Sequence, residues 1–131
     1  MERKSLIIKT KNKKEVADIT DEINEFLAAE KNKNGLVNLF LTHTTSALTI
    51  SELDSGTDLD LLDALDRIIP KINYRHSHDL SHMGSHIVSS LVSPSLTLPF
   101  NENGLILGTW QRVVLIELDG PRERRIIISF I

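Results

Sequence analysis

The C-terminal stretch QRVVLIELDGPRERRIIISFI, residues 111–131, constrains the fold most. Val113–Ile116 and Ile126–Ile128 are unbroken apolar runs, without the apolar-polar alternation of a half-solvated strand. Strands of that kind need cover on both faces, from helices, a second sheet or another subunit. Asp119-Gly120-Pro121 between the runs is a hairpin or tight-turn signal. The C-terminal half is therefore expected to be mostly antiparallel sheet, and its apolar strands ask for more cover than two helices of a small domain readily supply.

At 131 residues, 40% hydrophobic and 25% charged, the chain has the size and composition of one globular domain. No linker, repeat or low-complexity segment divides it, so residues 1–131 are expected to form one unit. Strand 1 is expected at Ser5–Lys9. Val16, Ile19, Ile23, Phe26 and Leu27 recur at helical spacing, with a stop at Gly35. LVNLFLTHTTSALTIS, from Leu36, is suited to a pleated surface and reads as two strands or one bent strand. SGTDLDLLDALDRIIP predicts a second helix with a Ser or Thr cap and Pro70 as terminator. Its Asp58, Asp60, Asp63 and Asp66 fall between Leu59, Leu62, Leu65 and Ile69, so they read as a solvated face, not a catalytic cluster. SHIVSSLV is expected to be a short helix leading out of a polar loop.

The absence of cysteine excludes disulfides, thiolate metal sites and a cysteine nucleophile. Leu6–Ile8 is too short an apolar piece for a signal peptide, and no later run approaches a membrane span, so a cytoplasmic protein without membrane association is expected. A net charge of −3 argues against nucleic-acid binding, and Lys9, Lys11, Lys13 and Lys14 lack the interleaved aromatics that would stack on bases.

HSHDLSHMGSH, residues 76–86, holds four of the five histidines. Imidazole titrates near neutrality and is the commonest metal ligand. His78, His82 and His86 are spaced by four, so a helix through them would put all three on one face, although Gly84 disfavours a helix. The stretch lacks the HExxH pattern, and two readings stand: a metal site or a polar loop. His43, in LTHTTSALT, is either a core histidine satisfied by threonines or the third nitrogen of an open metal site. Trp110 in LGTWQR offers a stacking face and Gln111 a directional amide, or simple packing. Arg122, Arg124 and Arg125 follow a turn, where guanidinium groups bind phosphate or merely solubilise. No Walker A, GxGxxG or GxSxG motif is present.

Taken together and in order, LTHTTSALTISE, YRH, SHIVSSLVSPSLTLPF, GTWQ and ELDGPR closely resemble the YjbQ family. The resemblance covers nearly the whole chain. It implies a compact, β-rich, sandwich-like α+β domain with two main helices, assembled as a homotrimer. It also implies a histidine-lined site near subunit contacts, occupied by a metal or an anion, and a secondary thiamine-phosphate-synthase activity. The residues carried over are His43, His76 and His86 as metal ligands, Glu52 and His86 as catalytic groups, and Thr109, Trp110 and Gln111 as ligand-binding residues. His78 and His82 fall where the family varies. Leu53, Gly84 and Val88 depart from its pattern; Val88 stands where a basic residue is common.

The leading expectation is thus an enzyme resembling thiamine-phosphate synthase, joining a pyrimidine diphosphate to a thiazole phosphate with release of pyrophosphate. A divalent metal, zinc by preference for nitrogen ligands and magnesium for turnover, would meet the charge of the leaving group together with Arg122 or Arg124. The alternatives are a non-catalytic module binding metal or a phosphorylated metabolite, and a metal-dependent hydrolase with Glu52 as base.

Overall fold

The computed structural model describes residues 3–76 and 80–131, with the backbone alone at 80 and 81. In chain order the elements are β1 (Arg3–Lys9), β2 (Glu15–Asp18), α1 (Thr20–Ala28), β3 (Gly35–Leu41), β4 (Ser46–Ser51), α2 (Thr57–Ile68), α3 (Leu80–Val92), β5 (Ser95–Asn101), β6 (Gly104–Leu105), β7 (Arg112–Glu117) and β8 (Glu123–Phe130). One sheet has the order β1-β8-β3-β5-β6 and the other β2-β7-β4. Every pairing is antiparallel. This is an α+β, sandwich-like domain with three helices among the described residues. No described helix is long and apolar enough to cross a membrane.

The two apolar runs lie on different sheets, and β7 explains its missing alternation. Val113 and Leu115 enter the main core between the sheets with Leu39, Leu48, Ile126 and Ile128. Val114 and Ile116 point the other way, into a smaller apolar cluster with Val88 and Leu118 that α2 covers through Leu62 and Leu65. Both faces of β7 are thus dry, one under a sheet and one under helices. Fully burying each such side chain contributes about 1.5–3 kcal/mol. On β8 the burial does alternate: Ile126 and Ile128 are buried, while Ile127 is half-buried on the outer face opposite Phe40. That outer face also carries Ile7 and Leu36, each more than two-fifths exposed.

Several local expectations change with tertiary context. Val16 belongs to β2, paired with Ile116, because the edge of β7 offers it a ladder partner. The helix begins only after Asp18, whose Oδ1 accepts the backbone N–H of Thr20 at 3.0 Å. α2 starts from Gly56 in the left-handed region (φ 85°), without the expected hydroxyl cap. Its aspartates do form the outer face, but Leu59 joins them, 63% exposed. α3 is longer than the expected short helix: Ser85 Oγ donates to the Leu118 carbonyl (3.0 Å), Ser89 Oγ donates to the Ser46 carbonyl (2.7 Å), and Val88 is buried. This docking outweighs the roughly 1 kcal/mol cost of Gly84 in a helix.

The Asp119-Gly120-Pro121 turn is tight, but it carries the chain from one sheet to the other instead of closing a hairpin. Gly120 N–H donates to the Lys13 carbonyl at 2.9 Å, and a Cβ on Gly120 would overlap the Asn12 carbonyl oxygen. The crossing passes against the β1–β2 connection and delivers β8 between β1 and β3 in the larger sheet.

Candidate metal and anion site

The ends of β7 and β8 are joined by a buried ion pair that forms the floor of the site. Glu117 Oε1 accepts bonds from Thr10 Oγ1 (2.6 Å) and Arg124 Nε (2.9 Å). Its Oε2 accepts the backbone N–H groups of Leu118 (3.0 Å) and Asp119 (3.1 Å) and Nη2 of Arg124. Arg124 Nη2 also donates to the carbonyl and hydroxyl of Thr45, at 3.1 and 2.9 Å. Burial pushes the Glu117 carboxyl up, but the bonds from Arg124, Thr10 and the Asp119 backbone more than offset this and hold it below the ordinary value. The charged carboxylate thereby fixes the turn that carries Asp119 and the β3–β4 connection that carries His43.

Above this floor is a cavity of about 540 Å³ lined by Thr42, His43, Thr44, His82, His86 and Asp119, with Arg122 beside them. His82 and His86 stand one turn apart on α3, their Nε2 atoms 3.2 Å apart. Two imidazole nitrogens on a tetrahedral zinc, each at 2.0–2.1 Å, would be about 3.3 Å apart. His76 completes the group: its ring stacks on His82 at 5.5 Å and meets His86 edge-on at 5.1 Å, and the nearest ligand nitrogens of all three lie within 4.8 Å of one another. Burial, followed by the neighbouring His82 and His76, lowers the pKa of His86, favouring the neutral ring that a metal needs.

Asp119 supports the group from below. Its Oδ2 lies 3.7 Å from His82 Nδ1, and Lys13 and Arg122 both pair with it. The Lys13 bond is the main cause of its lowered pKa, with Arg122 adding to it against the opposing effect of burial. Arg122 is about half exposed and is held at the rim by bonds from Nε to the Asp119 carbonyl (2.8 Å) and from Nη2 to its carboxylate (3.1 Å).

The expected ligands are brought together in part. His76 and His86 converge, and the third histidine grouped with them is His82. His43 lines the same cavity from the loop after β3, not from a strand, and its Nε2 accepts the Arg125 backbone N–H at 2.8 Å. That bond leaves the proton of neutral His43 on Nδ1. Burial, with the Arg124 charge acting in the same direction, lowers its pKa. Arg124 forms the base of the cavity, tied to Glu117 and Thr45, and Arg122 has its guanidinium at the rim. His78 lies outside the described residues.

Glu52 is not beside His86. β4 runs extended from Ser46, opposite Glu117 at the histidine end, to Ser51, opposite Arg112 at the other. At roughly 3.3 Å per residue this puts Glu52 about 20 Å along the sheet from the histidine end. Thr109, Trp110 and Gln111 lie just before β7, at the same far end. Trp110 is 73% exposed, and Gln111 Oε1 accepts the Gly108 N–H at 2.8 Å within its own turn. Sequence reasoning missed Glu117 and Asp119; an acid interrupting an apolar strand just before a Gly-Pro turn was the available signal.

The sequence pattern of the family described as UPF0047 protein YjbQ-like matches residues 4–131. The chain belongs to the YjbQ/UPF0047 family. A UPF0047 protein of Archaeoglobus fulgidus is 36% identical over 125 residues, covering 95% of this chain and 97% of that one. The UPF0047 protein YugU of Bacillus subtilis is 35% identical over 127 residues, 96% of each chain. The crystal structure of a hypothetical protein from Aeropyrum pernix K1 matches with a TM-score of 0.90 at 29% identity, over 100% of this chain and 98% of that one. In this YjbQ-family chain Val88 is 4% exposed and packs on the face of α3 turned away from His82 and His86. Its lack of charge therefore takes nothing from the histidine cavity.

Proposed function

We propose that the histidine cavity holds one divalent metal through His76, His82 and His86 and receives the phosphoryl group of a small metabolite beside it. The observation that carries this reading is the 3.2 Å approach of the His82 and His86 Nε2 atoms within a three-histidine group. A bound metal would supply Lewis acidity toward a phosphoryl oxygen. The chain's own groups do the rest: Arg122 offers a guanidinium at the rim, the threonines of the β3–β4 loop offer hydroxyls, and Asp119 places a carboxylate 3.7 Å from His82.

The reaction that suits this arrangement is a thiamine-phosphate-synthase-like transfer. The bond between the pyrimidine methylene and diphosphate breaks, a carbon–nitrogen bond to the thiazole phosphate forms, and pyrophosphate leaves with the bonding electrons. Arg122 would meet the charge of the leaving group. Trp110 and Glu52 can take part only from a neighbouring subunit, and the apolar outer face of the larger sheet, with Ile7, Leu36 and Phe40, supports the homotrimer that would bring them. The separation of Glu52 from the histidines within one chain favours the second reading, a module that binds metal and phosphorylated ligand without turnover.

Titration of metal-free protein with zinc tests the site. One equivalent should bind to wild type and His43→Ala, with binding lost in His82→Ala and His86→Ala; equal zinc binding by all four proteins overturns it. Release of pyrophosphate from the two phosphorylated precursors then separates enzyme from binding module.

A further inference from the structure

We propose that a second cavity, between α2 and α3, binds a small carboxylate with an apolar body. It measures about 250 Å³, and its wall is formed by Leu62, Leu65, Ile69, Val88 and Leu118. At about 30 Å³ for each water-sized group it accommodates about eight heavy atoms, the size of a six-carbon acid. Gly84 lines it and keeps it open: a Cβ there would stand 3.6 Å from Cγ2 of Ile69, and anything longer would enter the space.

The polar groups at this cavity set the chemistry of the occupant. Lys14 and Lys71 both line it, and both pair with the single carboxylate of Asp66, at 3.6 and 3.3 Å. Among the described residues lining it, two cations against one anion leave one positive charge beside an apolar pocket. An anionic head with an apolar tail complements both; a cation would meet like charge, and a neutral alcohol would leave the surplus charge unmatched. Tyr74 is committed elsewhere, its hydroxyl donating to the Pro70 carbonyl. The cavity lies on the Val88 side of α3, across the helix from His82 and His86, so the inference does not depend on the metal reading.

Isothermal titration of the full chain with hexanoate, hexanol and hexylamine tests this. Hexanoate should bind about five-fold more tightly than hexanol, the most that an exposed ion pair contributes, and hexylamine should not bind. Lys14→Gln combined with Lys71→Gln should erase the preference for hexanoate over hexanol. Gly84→Leu should abolish binding of both, and His82→Ala should leave it unchanged. Absence of hexanoate binding to wild type, equal affinity for acid and alcohol, or undiminished binding by Gly84→Leu would each overturn the proposal. Loss of zinc binding in His82→Ala with hexanoate binding retained keeps the fates of the two sites distinguishable.

Discussion

Replacing Arg124 by methionine tests the floor on which the site is built. The substitution removes four hydrogen bonds, two to Glu117 and two to Thr45. It leaves a fully buried carboxylate with the Thr10 hydroxyl and two backbone N–H groups as its remaining donors. Breaking a buried pair from one side costs about 3–5 kcal/mol, and the three surviving donors place the expected loss toward about 3. With an unfolding entropy of about 2.1 cal/mol/K per residue, or about 0.28 kcal/mol/K for 131 residues, Tm should fall by about 11 °C, read by calorimetry at pH 7. The deficit should shrink as pH is lowered toward 5, because an unpaired buried carboxyl has a raised pKa and its protonated form is the one the fold tolerates. Glu117→Gln combined with Arg124→Met should be more stable at pH 7 than Arg124→Met alone, since the amide removes the stranded charge and still accepts from the turn. A loss below 1 kcal/mol for Arg124→Met, or a double variant less stable than the single, would refute this account.

Gly84→Ala should raise stability by up to about 1 kcal/mol, because its Cβ makes only an ordinary contact with Ile69; an unchanged or lower midpoint in urea contradicts this. Wild-type stability should fall with acid: the pKa values of Glu117 and Asp119 are lowered by folding, so their contributions are complete above the ordinary carboxylate range of about 4 and are lost as pH drops through the folded values. Urea midpoints between pH 7 and pH 2 measure it, and Glu117→Gln should flatten the dependence. Wild type should sediment as a trimer at micromolar concentration, whereas Phe40→Asp, on the outer face of the larger sheet, should sediment as a folded monomer with unchanged circular dichroism. Identical sedimentation of the two would move the interface elsewhere.

What the sequence made legible was set by the range of the forces involved. The unbroken run Val113–Ile116 announced a strand covered on both faces, but only the fold shows that a sheet covers one and helices the other. Val16 was misread because a four-residue strand is shorter than the window in which helical and strand periods separate. The Asp-Gly-Pro turn was visible locally, while the sheet that receives the next strand is a property of the whole domain. His82 was marked by its four-residue spacing from His86, yet Gly84 argued against the helix that makes the spacing meaningful; the serine anchors that decide the matter reach Ser46 and Leu118. His43 could not be separated from the converging histidines by sequence, since its Nε2 is engaged by a backbone N–H 82 residues away.

The same reasoning bears on whether one chain suffices for catalysis. Glu52 and His43 are close in sequence, but the rigid length of β4 lies between them, and the pairing of Ser51 with Arg112 draws the Trp110 segment to the Glu52 end. Side-chain motion covers a few ångströms, not the roughly 20 Å of a six-residue strand. A reaction using both Glu52 and the histidines therefore needs a second copy docked so that one subunit's Glu52 end meets another's histidine end. A reaction that needs only metal, phosphate and Arg122 does not. Activity that disappears with the trimer while zinc binding persists would assign the chemistry to the shared site; activity surviving in the Phe40→Asp monomer would assign it to the histidine cavity alone.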